Sequence, residues 1–205
     1  MTEPRYQRRK EDRPAEITEA AFATFVEKGY AGTRVEEVAH RAGVSKGLLY
    51  LYFKTKEELF KSVVTSFVVP KLDALLVNIE QDELTAEQFL RGPFLNFAHT
   101  IPGSPIAMIV RLLIAEGPKH PDLLQFYWDN VVTRGVAAIK GLLEKGIRTG
   151  EFQRSPVTEQ PLLFIMPVVF SVIFRLLFAK QGINTDKLID TQINLLIEHM
   201  KGSEK

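Results

Sequence analysis

The chain contains 205 residues, of which 45% are hydrophobic and 25% are charged, and its formal net charge is +1. This composition is typical of a globular domain and excludes a disordered or low-complexity scaffold. Cysteine is absent, which excludes a disulfide framework, a cysteine-ligated metal and a thiol nucleophile, and fits a reducing compartment. No apolar run follows the basic N-terminal residues, and the uncharged stretch 160–174 is shorter than a membrane span. We therefore expect a cytoplasmic protein that has no membrane partner.

Charge gives little indication of the binding partner. Residues 1–61 carry 12 Lys and Arg residues against 10 Asp and Glu residues, and the remaining residues carry 14 against 15. A strongly basic domain would have indicated a nucleic acid. Any interaction with DNA must therefore be argued from local geometry.

The hydrophobic pattern is helical almost throughout, and no stretch shows the strict alternation of a strand. Four helices are predicted in the N-terminal part, over residues 13–28, 33–42, 45–53 and from 55 onward. Capping boxes at Thr33 and Thr55, a cap at Ser45 and the glycines Gly29 and Gly43 define these ends.

Five longer helices are predicted downstream, over residues 85–100, 105–116, 121–147, 161–180 and 185–201. Pro70 lies inside the fourth helix, where it removes a backbone hydrogen bond and either simply ends the helix or forms a hinge. Nine helices in two size classes predict an all-α fold. The predicted domains are an N-terminal module, 1–61, with 1–12 as a flexible basic leader, and a C-terminal bundle, 62–205.

The connection between helices two and three consists of Gly43-Val44, which is too short for antiparallel packing. Two short helices that cross through a glycine-containing turn form a helix-turn-helix, whose second helix enters a major groove of DNA. Residues 35–60 read VEEVAHRAGVSKGLLYLYFKTKEELF. Together with 17–34, they strongly resemble the DNA-binding domain of TetR-family transcriptional regulators.

The resemblance is carried by the segments Ala39-x-x-Ala42-Gly43-Val44-Ser45-Lys46-Gly47, Leu49-Tyr50-x-Tyr52-Phe53 and Lys56-x-x-Leu59. It implies a three-helix DNA-binding domain, followed by a bundle that binds a small effector and forms a homodimer. It also implies phosphate contacts at positions such as Thr33, Ser45, Tyr52 and Lys56. Simple helix capping is the alternative role for Thr33 and Ser45, and a structural role is the alternative for the tyrosines.

The third helix can also be analysed by its angular spacing of about 100° per residue. If Leu49 faces the core, Phe53 does too, and Gly47, Leu48 and Leu51 point away from it. This outward face has no Arg, Asn or Gln, the side chains that contact bases in a bidentate manner. Our hypothesis is that the two outward leucines contact thymine methyl groups while the glycine allows close backbone approach. The predicted DNA-binding residues are Thr33, Arg34, Ser45, Lys46, Gly47, Leu48, Tyr50, Leu51, Tyr52 and Lys56.

Helix 162–178 is apolar on every face and must therefore be buried on every face. A second copy across a two-fold axis would cover the side that the bundle does not, and a single large monomer core is the alternative. The predicted dimer-interface residues are Phe170, Phe174, Phe178, Ile193, Leu196 and Met200.

Bulky residues on helices five to eight predict an effector pocket for a hydrophobic or aromatic ligand, although each of them could equally be ordinary core. The predicted pocket residues are Phe97, Met108, Arg111, Phe126, Trp128, Phe164, Phe170 and Phe174.

The function predicted from these features is that of a DNA-binding repressor, which a small ligand releases from a palindromic operator. The alternative is a DNA-binding regulator without a small ligand, controlled by a protein partner or acting architecturally. We expect no enzyme, cofactor or metal, because the four histidines show no ligand spacing and no phosphate-binding loop is present.

Overall fold

The computed structural model describes the backbone of residues 5–81 and 84–201, and the side chains of these residues except 5–11, 78, 80 and 81. Within these residues all regular secondary structure is helical and no strand occurs. The helices are α1 (Arg5–Gly32), α2 (Val35–Arg41), α3 (Lys46–Tyr52), α4 (Lys56–Phe67), α5 (Val69–Gln81), α6 (Ala86–Phe89), α7 (Leu95–Thr100), α8 (Pro105–Glu116), α9 (Pro121–Tyr127), α10 (Thr133–Thr149), α11 (Leu162–Phe178) and α12 (Thr185–Lys201).

The predicted all-α class is confirmed, and the differences from the nine predicted helices have local causes. Two π-helical turns, Leu90–Phe94 and Trp128–Val132, join α6 to α7 and α9 to α10 within predicted single helices. The first of them contains Pro93, which has no N–H for an ordinary α-helical bond. The predicted fourth helix is broken at Val68, between α4 and α5, so the break near Pro70 is confirmed.

Helix α1 begins earlier than predicted. Its backbone is helical from Arg5, within the segment 1–12 that is predicted as a flexible leader, while residues 1–4 lie outside the described part of the chain. Arg, Gln, Lys and Glu dominate this segment and all favour helices. At the other end the helix is interrupted at Gly29, whose φ of 73° is a left-handed conformation that glycine adopts without steric cost.

The chain forms two compact units. The first extends to Pro70 and includes Leu112–Tyr127, and the second consists of Lys71–Arg111 and of the residues from Trp128 onward. The domain boundary predicted after residue 61 falls inside α4, which continues without interruption to Phe67. The boundary between the units follows Pro70 directly, and a hinge at this residue remains a prediction.

The first unit has an aromatic and aliphatic core. The rings of Phe25, Tyr30 and Phe60 pack against one another, with centroid distances of 5.5 Å (Phe25–Tyr30), 6.1 Å (Phe25–Phe60) and 5.8 Å (Tyr30–Phe60). Burial of such side chains supplies most of the stabilisation of a small helical module. The side chains with no exposed surface in the first three helices and α4 are Ile17, Ala21, Phe25, Val38, Leu49, Leu59, Phe60, Val63 and Val64.

The second unit is built around α11 and α12. Polar contacts fix this pair of helices: Arg175 donates from Nε to the Thr185 hydroxyl (2.6 Å) and from Nη2 to the Asp186 carboxylate (2.7 Å). His99 on α7 contacts Asp190 on α12 at 2.8 Å. The fully buried residues of the two helices are Phe164, Ser171, Thr185, Ile189, Ile193, Ile197 and Met200.

Candidate nucleic-acid interface

The predicted recognition helix α3 is short, and its two ends are defined by local hydrogen bonds. The Ser45 hydroxyl accepts from the Leu48 N–H at 3.1 Å, which confirms Ser45 as the N-cap. The preceding turn contains Gly43 with φ 65°, and the Val44 N–H donates to the Ala39 carbonyl at 3.0 Å. A seven-residue helix is marginal alone, so its position depends on these caps and on tertiary contacts.

Leu49 anchors α3 to the core of the first unit, because its side chain has no exposed surface. Phe53, the predicted second core residue, is the C-cap and is half-buried. The opposite side of the helix therefore faces outward, as the angular spacing predicts.

Ion pairs hold α2 between its neighbours. Lys28 on α1 contacts Glu37 at 2.8 Å, and Arg41 contacts Glu27 on α1 at 2.5 Å. Glu36 on α2 pairs with Lys46 on α3, and this hydrogen bond lowers the pKa of the carboxyl and raises the pKa of the ammonium. All these groups are substantially exposed, so we expect them to fix orientation more than they add stability.

The outward face of α3 is apolar and strongly exposed. Leu51 is 71% exposed, which is the largest value among the large apolar side chains that the structure describes as exposed. Gly47 is exposed one turn earlier, and Leu48 beside it is half-buried. The face therefore presents alkyl groups and bare backbone to a partner.

Polar groups lie on both sides of this face. Lys46 is exposed and its ammonium lies 5.9 Å from the centre of the Tyr50 ring. Tyr50 and Tyr52 are half-buried, and Arg34 is exposed at the N-cap of α2. Such flanking cations and hydroxyls suit phosphate oxygens, which fix register without reading sequence.

Two predicted phosphate contacts need correction. Thr33 is only 2% exposed, and its hydroxyl donates to the Gly29 carbonyl at 2.7 Å. The N-cap of α2 is Arg34, whose N–H donates to the Glu37 carboxylate at 3.4 Å, so the predicted capping box of Thr33 and Glu36 is wrong. The Thr33 side chain is therefore not placed to contact a phosphate.

Lys56 is the second correction. Its ammonium donates to the carbonyls of Tyr30 (2.8 Å), Thr33 (3.2 Å) and Ala31 (3.4 Å) and lies 4.6 Å from the centre of the Tyr30 ring. Burial lowers the pKa of this ammonium, and the nearby Glu116 carboxylate opposes that shift. Because these three carbonyls accept its protons, the Lys56 ammonium stabilises the end of α1 and has no proton left for a phosphate in this conformation.

The sequence analysis missed Lys54, which is exposed directly after α3. Its ammonium donates to the Tyr50 carbonyl at 2.8 Å and its backbone N–H to the Glu58 carboxylate at 2.5 Å. A lysine just past a helix C-terminus is a recognisable capping signal, and here it adds a cation beside the outward face.

The predicted dimer-interface residues divide into two groups. Phe170 and Phe178 are 48% and 43% exposed, and their rings form a continuous row with the half-buried Phe174, at centroid distances of 5.2 Å and 4.8 Å. Ile193 and Met200, by contrast, have no exposed surface, so their predicted interface role is wrong. Leu196 is half-buried.

The surface of α11 and α12 nevertheless exposes many large apolar groups. On α11 the series Leu162, Met166 and Phe170 recurs every fourth residue and so shares a face of the helix, and near the C-terminus the exposed apolar surface widens to three consecutive residues. The exposed members are Leu162, Met166, Val169, Phe170, Leu176, Leu177 and Phe178 on α11, and Leu188 and Leu195 on α12. We call this set the apolar face of the second unit.

Length and composition alone would let one helical segment cross a membrane. Within the described residues this segment is Leu162–Gln181, with a mean hydropathy of 2.5. The helical segments Ala86–Gly103 and Pro105–Lys119, which are bent relative to each other, meet the length and hydropathy criterion only when they are counted together. This differs from the expectation that the uncharged stretch is too short. The segment also supplies core residues of the second unit, and core helices of globular proteins meet the same criterion.

The predicted pocket residues are not equivalent. Phe126 belongs to the first compact unit and the others to the second. Phe164 is fully buried, Trp128 is 52% exposed and Arg111 is exposed, whereas Phe97 and Met108 are half-buried. Phe174 lines a cavity of about 260 Å³, whose other lining residues are Arg175, Phe178, Ala179, Gly182, Ile183 and Thr185.

A capped, outward-facing short helix that follows a tight glycine turn defines a helix-turn-helix DNA-binding regulator. Residues 17–63 match the family model of bacterial regulatory proteins of the tetR family. The chain is 31% identical over 162 residues to the uncharacterized HTH-type transcriptional regulator YfiR of Bacillus subtilis, covering 76% of this chain and 74% of that protein. The chain therefore belongs to the TetR family of transcriptional regulators.

Two further proteins resemble the chain over most of its length. The HTH-type transcriptional repressor SCO4008 of Streptomyces coelicolor is 28% identical over 191 residues, which covers 86% of this chain and 89% of that protein. The crystal structure of FadR from Bacillus subtilis in complex with stearoyl-CoA superposes with a TM-score of 0.72 at 21% identity, covering 91% of this chain and 98% of that one. The second similarity shows a shared fold.

Proposed function

We propose that the protein is a repressor that binds a palindromic operator as a homodimer and is released by a small hydrophobic ligand. The observation that carries this proposal is the outward face of α3, where Leu51 is 71% exposed between polar flanks. A repressor role is further supported by the similarity to the Streptomyces coelicolor repressor. We place the regulator in the bacterial cytoplasm and propose no catalytic role, because the relatives named above are transcriptional regulators.

The homodimer is supported by the apolar face of the second unit. Exposed leucines and phenylalanines on a helix of this length are unfavourable in water, and a second copy of the same face would cover them. The proposed interface consists of Met166, Phe170, Phe174, Leu177, Phe178, Leu188, Leu195 and Leu196.

The DNA contacts proposed for each subunit are those predicted from the sequence, except that Thr33 and Lys56 are left out and Lys54 is added. The proposed phosphate contacts are Arg34, Ser45, Lys46, Tyr50, Tyr52 and Lys54. The proposed base contacts are Gly47, Leu48 and Leu51. Two such sets, related by a two-fold axis, would bind half-sites about 34 Å apart.

The proposed effector is an amphipathic molecule with a long apolar part. The similar fold of FadR was solved with stearoyl-CoA bound, which makes an acyl-CoA the first ligand to test. The apolar lining near Phe174 and Phe178 suits the apolar chain of such a ligand, while the Arg175 guanidinium beside it is already paired with Thr185 and Asp186. The second candidate function is a DNA-binding regulator that binds no small ligand and is controlled by a protein partner or acts architecturally.

The test uses the full-length protein and operator fragments selected by it from genomic DNA. Operator affinity is measured by fluorescence anisotropy alone and with stearoyl-CoA, stearate or coenzyme A. We expect at least one of the acyl compounds to weaken binding tenfold or more while coenzyme A alone has no effect. Unchanged affinity with every acyl compound would favour the regulator without a small ligand.

A further inference from the structure

Helix α3 contains a glycine that the fold does not require. Gly47 lies within α3 and its φ is not positive, so its backbone is accessible to any residue. A Cβ built on this residue meets no atom within 4 Å. Because glycine weakens a helix relative to alanine, its presence is explained by something outside the chain that approaches this backbone closely.

The second observation is the leucine one turn away. Residues four apart lie on the same side of a helix, so Leu51 follows Gly47 on the outward face. Its 71% exposure leaves most of an isobutyl group in water, at a position where the fold gains little from it. Leu48 is half-buried next to both residues and widens the same apolar strip.

The third observation is the chemistry that this strip lacks. Apart from Lys46, Tyr50 and Tyr52, α3 consists of Gly47 and leucines, and it contains no Arg, Asn or Gln. Lys46 lies on the flank of the strip, where it pairs with Glu36 and is proposed to contact a phosphate. The outward strip therefore offers no side-chain hydrogen bond to a base edge.

We propose that this strip recognises the C5-methyl groups of thymines in the major groove. The thymine methyl is the apolar group that a natural base pair presents there, so it is the group that alkyl side chains can read. Leu51 contacts one thymine methyl, Leu48 contacts a neighbouring one, and Gly47 lets the backbone of α3 approach the base edges. This inference rests on the operator binding proposed above and specifies how the operator sequence is read.

The experiment replaces single thymines of a selected operator half-site by deoxyuridine, which removes only the methyl group. Affinities of the full-length wild type and of the Leu51→Ala variant are compared for each duplex at one fixed salt concentration. We expect at least one substitution to weaken wild-type binding about fourfold, the factor that corresponds to burying one methyl-sized group. The same substitution should change the affinity of the Leu51→Ala variant by less than about 1.5-fold.

A matched control is Lys46→Gln, which alters a flanking cation. It should weaken binding to every duplex by a similar factor and retain the difference between thymine and uracil. Because Leu51 is exposed, its replacement removes no core contact, and an unchanged melting temperature verifies that the variant is folded.

Two results would overturn the inference alone. In one, the wild type binds its operator but no deoxyuridine substitution has an effect; in the other, the effect persists undiminished in both Leu51→Ala and Leu48→Ala. A wild-type protein that binds no selected duplex would overturn the proposed function as well, so the two failures are distinguishable.

Discussion

The ammonium of Lys56 occupies the place where α1 presents carbonyl oxygens without helical partners. Such a helix end carries partial negative charge, and a cation placed there is stabilised. Its contacts with Tyr30, Ala31 and Thr33 join residues separated by 23 to 26 positions in sequence. A phosphate contact and this structural role are both consistent with the sequence pattern Lys56-x-x-Leu59, and the carbonyl contacts of the structural role become visible only in the tertiary structure.

Replacing Gly47 by alanine should separate stability from binding. Alanine is favoured over glycine inside a helix by about 0.5–1 kcal/mol, and the structure leaves room for the added methyl group. We therefore expect the melting temperature to rise by about 2 °C. Operator affinity should instead fall about tenfold or more, because the new methyl group lies between the backbone of α3 and the DNA.

Calorimetry and fluorescence anisotropy measure these two quantities. The matched control is Gly141→Ala on α10, which is exposed, also has room for a Cβ and lies in the other compact unit. It should raise the melting temperature without changing operator affinity. Tight operator binding by Gly47→Ala would contradict the close approach of DNA to this residue.

Helix α11 has some side chains buried in the core of the second unit and other apolar side chains exposed at its surface. Phe164 and Ser171 are fully buried in the second unit, while Met166 and Leu177 are 57% and 68% exposed. A helix that is apolar on every side needs a cover on both sides. The proposed dimer supplies the second cover.

Glutamate at Leu177 should therefore prevent dimerisation without unfolding the chain. Burial of an unpaired carboxylate in an apolar interface is strongly unfavourable, whereas the same carboxylate on an exposed surface is not. We expect Leu177→Glu to raise the dimer dissociation constant at least 100-fold, as measured by sedimentation velocity across a concentration series. Arg148→Glu on α10 also adds a carboxylate to an exposed position and should remain dimeric. Equal dimer stability of the two variants would exclude this part of α11 from the interface.

The helices themselves could be predicted because their signals are local. Caps such as Ser45 and Thr55, and the glycine at position 29, act within a few residues of the chain. The outward face of α3 also followed from angular spacing once Leu49 was assigned to the core. These features are confirmed by the structure.

The residue roles that could not be predicted from the sequence depend on whether the fold itself or a second molecule buries a given side chain. Ile193 and Met200 lie on an apolar stripe of α12, and periodicity identifies the stripe but not its partner. In the structure the fold itself buries both residues. For Thr33 the sequence pattern indicates an N-cap, whereas its hydroxyl bonds backwards to the Gly29 carbonyl four residues earlier and to the Thr24 carbonyl.

The whole molecule carries a formal net charge of only +1, so its attraction to DNA is not a general property of the surface. Specific binding must then come from a few well-placed contacts, and one short helix per subunit provides few of them. In a dimer, the binding free energies of the two recognition helices contribute to one binding event. This requires both half-sites to lie on the same side of the duplex.

Insertion of five base pairs at the centre of the selected operator tests this coupling directly. Half a helical turn places the second half-site on the opposite side of the DNA, so only one subunit can bind in the intended geometry. We expect the wild-type affinity, measured by fluorescence anisotropy at fixed salt concentration, to fall about 100-fold or more. The Leu177→Glu variant, which binds as a monomer, should show the same weak affinity for both duplexes. If the wild type bound the two duplexes equally well, the half-sites would be read independently and the two-fold arrangement of recognition helices would be wrong.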